Sequence, residues 1–506
     1  MRMREIAGLP WVQQALVDAG EAELRRVTCD SRRAGPDTAF FALPGQKSDG
    51  HRFLAAAAAA GAPALFLSDP DVFARLSSSR NALPVRTPGT RPALFRVEPG
   101  RAVLADLAAR LYRSPSERVD LLGVTGTNGK ATVTFLIAQT LAALDSSCGI
   151  VGGLGYFLPG GSLPSERTTP EAPDVAEFLV RCRGERVGTV AMEVSSIGIH
   201  QERTRGLRFR AAAYTNFTQD HLDYHGTMAS YREQKERLFF EYALGGAVFN
   251  LDDPAVAELC GRVREQRPDV PIVTYGLRGP ADLSVTDLRL TAAGAAGTVL
   301  HGARRLPFEL TLPGAFNVSN WLAALGLLLS AGHPLEGAVP VAKRLTGAPG
   351  RLERIPVGSP ITVLVDYAHT PDALDTVLRT LRPLTAGRLL VAFGCGGDRD
   401  RQKRPQMGAI AERLADLVVL TSDNPRSEEP GGILTEIRGG MRDPGRALEI
   451  RDREEAIRTL LDQARPGDLV LLAGKGSETY QEVHGRKQPF DDREVVRRWT
   501  RERFGV

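Results

Sequence analysis

"LLGVTGTNGKATVTFLIAQTLAALD", residues 121–145, holds the pattern that decides the fold. A short apolar run, LLGVT, reads as a buried strand, and the polar, glycine-rich TGTNGK that follows opens directly into a helical stretch, ATVTFLIAQTLAALD. Backbone N–H groups at such a helix start, together with the helix dipole, favour an anion, and Lys130 would neutralise terminal phosphates. The match to G-x-x-x-x-G-K-[ST] departs twice. Val124 stands where the first glycine belongs, and Ala131 where a hydroxyl would reach magnesium. Taken alone, the stretch is either a phosphate loop or a plain strand-to-helix turn.

The same rhythm recurs outward from this point. GTVAMEVS, AAAYTNF and AVFN read as further strands of a middle segment, and ITVLVDYAH, RLLVAF, DLVVLTS and DLVLLAG as strands of a last one. Strands apolar throughout and separated by helices imply parallel sheets covered on both faces, whose ligands bind at the strands' carboxyl ends. The polar residues follow those ends, as GTNGK, SSIG, DYAHTPDAL and GCGGDRD. Two stretches dense in Pro, Gly and Arg, 86–101 and 346–360, read as joints and divide the chain into 1–98, 99–345 and 346–506. The alanine run 55–60 reads as a buried helix leading into a strand.

With 506 residues, 42% hydrophobic and 25% charged, the chain belongs to the folded, multidomain class. Its net charge of +4 is spread without a basic run or interleaved aromatics, which argues against nucleic acid. The five cysteines are widely spaced and lack a CxxC pair, so reduced thiols and a cytoplasmic location are expected. Neither a signal peptide nor an apolar run long enough to span a membrane is found.

Other clusters carry chemistry. In TNFTQDHLDYHGTMASYREQKERLF (215–239), a strand expected to end at Asn216 is followed by Asp220, His221, Asp223 and His225, either a magnesium site or a polar loop with a helix cap. Glu193 places a carboxylate at a parallel strand's carboxyl end. Asp366 and His369 precede a helix start capped by Thr370 with Pro371 in its first turn. FGCGGDRDRQKRP and TSDNPRSEEP set Arg beside Asp in loops, to grip a zwitterion or to pair with each other on the surface.

In order along the chain, DSRRAGPDTAFFALPGQKSDGH, TGTNGK, RTTP, EVSS, TNFTQDHLDYHGTMASYREQKERLF, PGAFNVSN, GRLE, DYAHTPDAL, GCGGDRD, DNPRSEEP and GKGSETYQ resemble the Mur ligases of peptidoglycan assembly, and among them the tripeptide synthetases. The resemblance covers nearly the whole chain. It implies an α/β protein of three domains: an N-terminal UDP-substrate domain, a central P-loop ATPase-type parallel sheet and a C-terminal Rossmann-like sheet that takes the amino acid. It implies ATP and Mg2+ as cofactors and UDP-MurNAc-L-Ala-D-Glu with a diamino acid as substrates.

By the same resemblance, Gly126, Thr127, Asn128, Gly129, Lys130, Thr132, Asn317, Asn320, Arg351, Asp366 and His369 match nucleotide positions. Ser31 and His51, near Asp49 and Gly50, match the uridine-diphosphate side, and Thr168, Thr169, Ser195 and Arg203 the muramoyl-peptide side. Glu193 and His221 match magnesium ligands, and Lys235 the lysine this family carbamylates, whose anion supports a metal that an ammonium would repel. Lys130, Glu193, His221 and Lys235 are thus the expected catalytic set. Arg399, Asp423, Asn424, Arg426, Gly474 and Glu478 match the amino-acid pocket: Arg399, Asn424 and Arg426 suit a distal carboxylate and Glu478 an ammonium, which favours meso-diaminopimelate over lysine or ornithine.

The implied chemistry is phosphoryl transfer from ATP to the acceptor carboxylate, attack on the acyl phosphate by an amine, and domain closure that excludes water. The sequence departs from the family at Ala131, at Ile197 in EVSSIG and at Ser477 in GKGSE, where Thr, His and His are usual. A folylpolyglutamate synthase shares the loop and the lysine but lacks the DSR…DGH segment, and a silent nucleotide-binding relative has Ala131 alone in its favour.

Overall fold

The computed structural model describes residues 1–17, 22–45, 48–79, 83–84 and 91–505. The chain divides into two compact units, Met1–Ala131 with Ser146–Val273 and Ser330–Gly332, and Thr132–Asp145 with Thr274–Leu329 and His333–Val506.

Within the first unit, a five-stranded sheet runs in the order Val12–Leu16, Ala93–Val97, Ala64–Leu67, Thr38–Ala42, Arg26–Thr28, with its first strand antiparallel and the others parallel. The alanine run forms the helix Leu54–Ala59, whose Leu54, Ala57 and Ala58 are buried just ahead of the strand Ala64–Leu67. The joint expected at 86–101 begins outside the described residues, at 86–90, and its remainder is strand Ala93–Val97 and the start of helix Gly100–Leu111. Among its described residues, Pro92 and Pro99 flank that strand and Gly100 opens the helix.

The larger sheet carries the glycine loop. After its edge strand Ile272–Tyr275, its strands run Ala247–Asn250, Ala211–Tyr214, Asp120–Thr125, Thr189–Glu193, Cys148–Gly152, these five parallel, and end in the antiparallel hairpin Gly155–Leu158 and Gly161–Leu163. Asp120–Thr125 lies centrally, with helix Lys130–Ala143 following its loop. The strand expected to reach Asn216 stops at Tyr214, because Thr215 and Asn216 turn their side chains onto the loop.

In the second unit a six-stranded sheet runs Glu353–Ile355, Thr362–Asp366, Leu469–Ala473, Leu389–Phe393, Leu417–Leu420, Ala447–Glu449, parallel except for its first strand. Interior strands such as Leu389–Phe393 are buried at every position, which is why they read as unbroken apolar runs. Because Thr362–Asp366, Leu469–Ala473, Leu389–Phe393 and Leu417–Leu420 point the same way, the loops 366–370, 474–478, 394–399 and 421–426 leave one edge of the sheet. A separate antiparallel sheet, Ser284–Thr291, Gly294–His301 and Arg304–Leu310, has no counterpart in the sequence reading. Thr370 caps helix Pro371–Leu381 as expected, its hydroxyl accepting from Ala373 N at 3.3 Å.

Candidate active site

The glycine loop of the first unit is stitched to the segment after strand Ala211–Tyr214. Gly126 (φ +140°) and Gly129 (φ +88°) adopt backbone conformations that L side chains resist. A Cβ on Gly126 would also lie 1.9 Å from Thr215 Oγ1. Thr127 N donates to Asn216 O and Asn128 N to Asn216 Oδ1, both at 2.9 Å, while Thr215 Oγ1 donates to Asn128 O at 2.6 Å. The buried Thr127 hydroxyl donates to Thr218 O and lies 3.2 Å from Tyr231 OH. Two loop amides are therefore engaged by Asn216, so an anion would be cradled chiefly by the lysine and the helix start.

Two lysines converge on one oxygen. Lys130 Nζ donates to Gly126 O and Thr127 O, and Lys235 Nζ donates to the same Gly126 O, each at 2.8 Å. Lys235 is 1% exposed, on the helix Met228–Phe240, with its ammonium 4.7 Å from the Tyr231 ring centre. Burial, and then the charge of Lys130, hold its pKa well below the usual lysine value, with Asp220 opposing. His221, in a left-handed conformation (φ +51°), packs its ring 5.9 Å from Tyr231 and pairs with Asp220 at 3.5 Å. Its imidazole pKa is lowered by burial first, against the pull of Asp220 and with Lys130 and Lys235 adding to the drop. Tyr231 thus touches Thr127, Lys235 and His221. Sequence reading passed over it, although its place four residues before Lys235 puts both on one helix face.

Glu193 ends the neighbouring strand, is 5% exposed and accepts from Gly153 N at 2.9 Å. Thr168 borders Gly153, and Thr169 is fully buried: its hydroxyl reaches Glu193 O and Ser195 Oγ at 2.9 Å. Arg203 Nη1 donates to Thr169 O at 2.9 Å, and its Nε lies 3.3 Å from Glu171, a buried carboxylate shared with Arg101 and Arg167. Three guanidinium groups thus converge on one carboxylate, and Arg167 and Glu171 meet a cavity whose lining mixes both signs of charge. Glu171 and Arg167 line a cavity of about 900 Å³ together with Ser31, Phe53, Tyr156 and Arg181. This brings the expected contacts Ser31 and the 167–171 loop to one space. His51 also braces its own turn: Nδ1 lies 2.7 Å from Asp49 Oδ1 and Nε2 accepts from Asp69 N at 3.2 Å.

At the carboxyl edge of the second unit's sheet, the buried Asp366 accepts from Leu352 N at 2.7 Å and Ala368 N at 2.8 Å, and burial raises its pKa. Those bonds set Arg351, whose guanidinium lies 4.6 Å from the Tyr367 ring, and His369, whose ring is 4.5 Å from the same tyrosine. Asn317 and Asn320 share one face of helix Ala315–Ser330, and Asn317 Nδ2 donates to Pro313 O at 2.8 Å.

Across the same edge, Asp423 and Asn424 are buried, and Gly474 (φ +108°) approaches so closely that a Cβ there would lie 2.7 Å from Asp423 Oδ2. Arg426 (φ +53°) donates to Gly397 O at 2.7 Å and pairs with Glu482 at 3.3 Å. Arg399 is exposed and, among the described residues, forms no ion pair. The remaining arginines of its loop pair away from the pocket, Arg401 with Glu436 and the buried Arg404 with Glu428 and Glu436. The Asn424 amide does not point to an open carboxylate site: Oδ1 accepts from Lys475 Nζ and Glu482 N, and Nδ2 donates to Glu478.

Among the described residues, no three His, Cys, Asp or Glu side chains gather as a metal site. Of the expected metal set, Glu193 bonds to Gly153 N, while Lys235 and His221 both pack against the Tyr231 ring.

The chain matches the Mur ligase middle domain over residues 124–328, the Mur ligase glutamate ligase domain over 350–476 and the Mur ligase family catalytic domain over 23–112. A UDP-N-acetylmuramoyl-L-alanyl-D-glutamate--2,6-diaminopimelate ligase from Pseudomonas syringae pv. tomato is 43% identical over 472 residues, covering 93% of this chain and 94% of that protein. The ligase of the same description from Synechococcus elongatus is 42% identical over 471 residues, 92% of each chain. A solved structure of a ligase so described matches with a TM-score of 0.69 at 34% identity, over 99% of each chain. The chain belongs to the Mur ligase family.

Proposed function

We propose that this protein joins meso-diaminopimelate to UDP-MurNAc-L-Ala-D-Glu at the expense of ATP; its 43% identical relative is named for joining 2,6-diaminopimelate to that acceptor. The observation that carries the reading is Lys130 at a glycine loop opening a helix, with the buried Lys235 reaching the same Gly126 O. Lys130 would stabilise charge on the γ-phosphoryl group as it passes from ATP to an acceptor carboxylate oxygen. The amine nitrogen then attacks the acyl carbon, the C–O bond to phosphate breaks, and the nitrogen loses a proton as the amide forms. Arg203, Thr169 and Ser195 would orient the acceptor, and Asn317, Asn320, Arg351, Asp366 and His369 the nucleotide.

Lys235 fits the carbamylated lysine of this family. A buried amine pushed down toward its neutral form can attack carbon dioxide, forming an N–C bond and releasing a proton, and the carbamate would relieve the repulsion from Lys130. That anion with Glu193 and His221 supplies the hard oxygen and imidazole donors that a magnesium ion with several waters tolerates. Bound there, magnesium would neutralise phosphate charge. Domain boundaries at 98/99 and 345/346 belong to the same reading. A cytoplasmic site of action is supported by five free cysteines and by the lack, among the described residues, of any helix long and apolar enough to cross a membrane.

The test is amide formation from ATP and UDP-MurNAc-L-Ala-D-Glu with a panel of diamino acids. Diaminopimelate should exceed lysine and ornithine by at least about tenfold in kcat/KM, because it alone of the three carries a distal carboxylate that the exposed Arg399 can grip by charge-assisted hydrogen bonds. Equal or better use of lysine would overturn the amino-acid assignment.

A further inference from the structure

Lys475 is completely buried between two glycines of left-handed backbone, Gly474 (φ +108°) and Gly476 (φ +52°). The loop cannot drift: a Cβ on Gly476 would lie 2.8 Å from Gly350 O, and one on Gly350 2.1 Å from Ser477 N. Lys475 Nζ donates to Glu478 Oε2 and to Asn424 Oδ1, each at 3.2 Å. Asn424 Nδ2 donates to the same Glu478 Oε2 at 2.8 Å, and Glu482 N fixes Asn424 Oδ1 at 2.9 Å. One carboxylate oxygen therefore receives two donors from a buried scaffold. Among the described residues no hydrogen bond engages Glu478 Oε1, and the side chain is 23% exposed.

A buried ammonium is expensive, and a well-packed apolar side chain of similar volume would serve stability as well or better. What an apolar side chain cannot do is hold Glu478 in one rotamer with a single oxygen presented. We propose that Lys475 is a positioning residue of the amino-acid site, acting through Glu478 and Asn424 to aim Glu478 Oε1 at an ammonium group of the incoming diamino acid. The proposal rests on the function given above. It also accounts for the inward-turned Asn424 amide, which serves the glutamate rather than the substrate's carboxylate.

The experiment compares Lys475→Met, Glu478→Gln and the double variant by steady-state kinetics in all three substrates. Lys475→Met should raise KM for diaminopimelate about tenfold or more and leave KM for ATP and for the UDP-linked acceptor within about twofold. Added to Glu478→Gln, it should raise the diaminopimelate KM by less than about threefold, because both changes remove one interaction. An unchanged diaminopimelate KM, a parallel rise in all three constants, or effects that multiply fully would overturn the proposal. If Lys475→Met does not fold, Lys475→Gln, which keeps a donor, is held to the same KM split as a milder change. Failure of both to fold makes the residue structural and overturns it as well. An unmodified enzyme that turns over no diamino acid refutes the underlying function, whereas a wrong pattern among variants of an active enzyme refutes the role of Lys475 alone.

Discussion

Lys235 shows what a residue's surroundings add to its identity. As a letter in YREQKERLF it is one cation among 64 basic residues. In the fold it is buried beside Lys130, and its pKa falls well below 10.5. Between the lowered folded-state pKa and 10.5, the unfolded chain binds the extra proton, so this group's contribution to stability rises with pH across that window and its cost is fully present below it. In buffer depleted of carbon dioxide, Lys235→Met should therefore unfold at higher urea than the unmodified protein near about pH 7.5, and the gap should narrow toward about pH 9.5. A gap that widens with pH would contradict the burial argument.

Ala131 is the second residue of helix Lys130–Ala143 and half-buried, and it stands where the resemblance implies a metal-binding hydroxyl. Since magnesium readily keeps a water in that place, the loss should be modest. Ala131→Thr should lower KM for magnesium-ATP by up to about tenfold and leave the amino-acid preference unchanged. Thr132 is turned about 100° around the helix and is 8% exposed, so its hydroxyl is not the substitute. No effect of Ala131→Thr combined with loss of turnover in Thr132→Ala would reverse that assignment.

At the scale of elements, the strand, loop and helix of 120–143 were legible because each obeys a local rule: a fully apolar parallel strand, glycines where φ is positive, a lysine at a helix start. All eight apolar runs singled out are strands of the two parallel sheets. The antiparallel sheet of 284–310 was not legible, since the exposed and half-buried positions of Ser284–Thr291 carry no sustained apolar signal. Nor was Lys475, because a lysine between glycines reads as a solvated turn until burial is known. Nor were the bonds of His51 to Asp49 and Asp69, which depend on a turn no local pattern reveals. The loop itself is testable as an element. Gly126→Ala must accommodate φ +140° and a contact of 1.9 Å with Thr215. It should destabilise the protein by about 1–3 kcal/mol or more in urea unfolding and abolish ATP-dependent turnover. Retained activity at unchanged stability would show that the loop bends more freely than its bonds to residues 215–218 allow.

At the scale of the whole molecule, a ligase needs two kinds of site, and the chain supplies one set of strand ends in each unit: a glycine loop with paired lysines in the first, and carboxylate- and arginine-bearing loops in the second. Family resemblance pointed to both, because eleven motifs in order constrain the whole chain more than any one constrains its own loop. The central claim is that the protein activates an acceptor carboxylate as an acyl phosphate for attack by a diamino acid. The direct measurement uses UDP-MurNAc-L-Ala-D-Glu labelled with 18O in its glutamyl carboxylates, ATP and meso-diaminopimelate, and follows the label by mass spectrometry. One 18O should appear in each phosphate released, in step with amide formed. Unlabelled phosphate, or phosphate released without amide, would contradict the account.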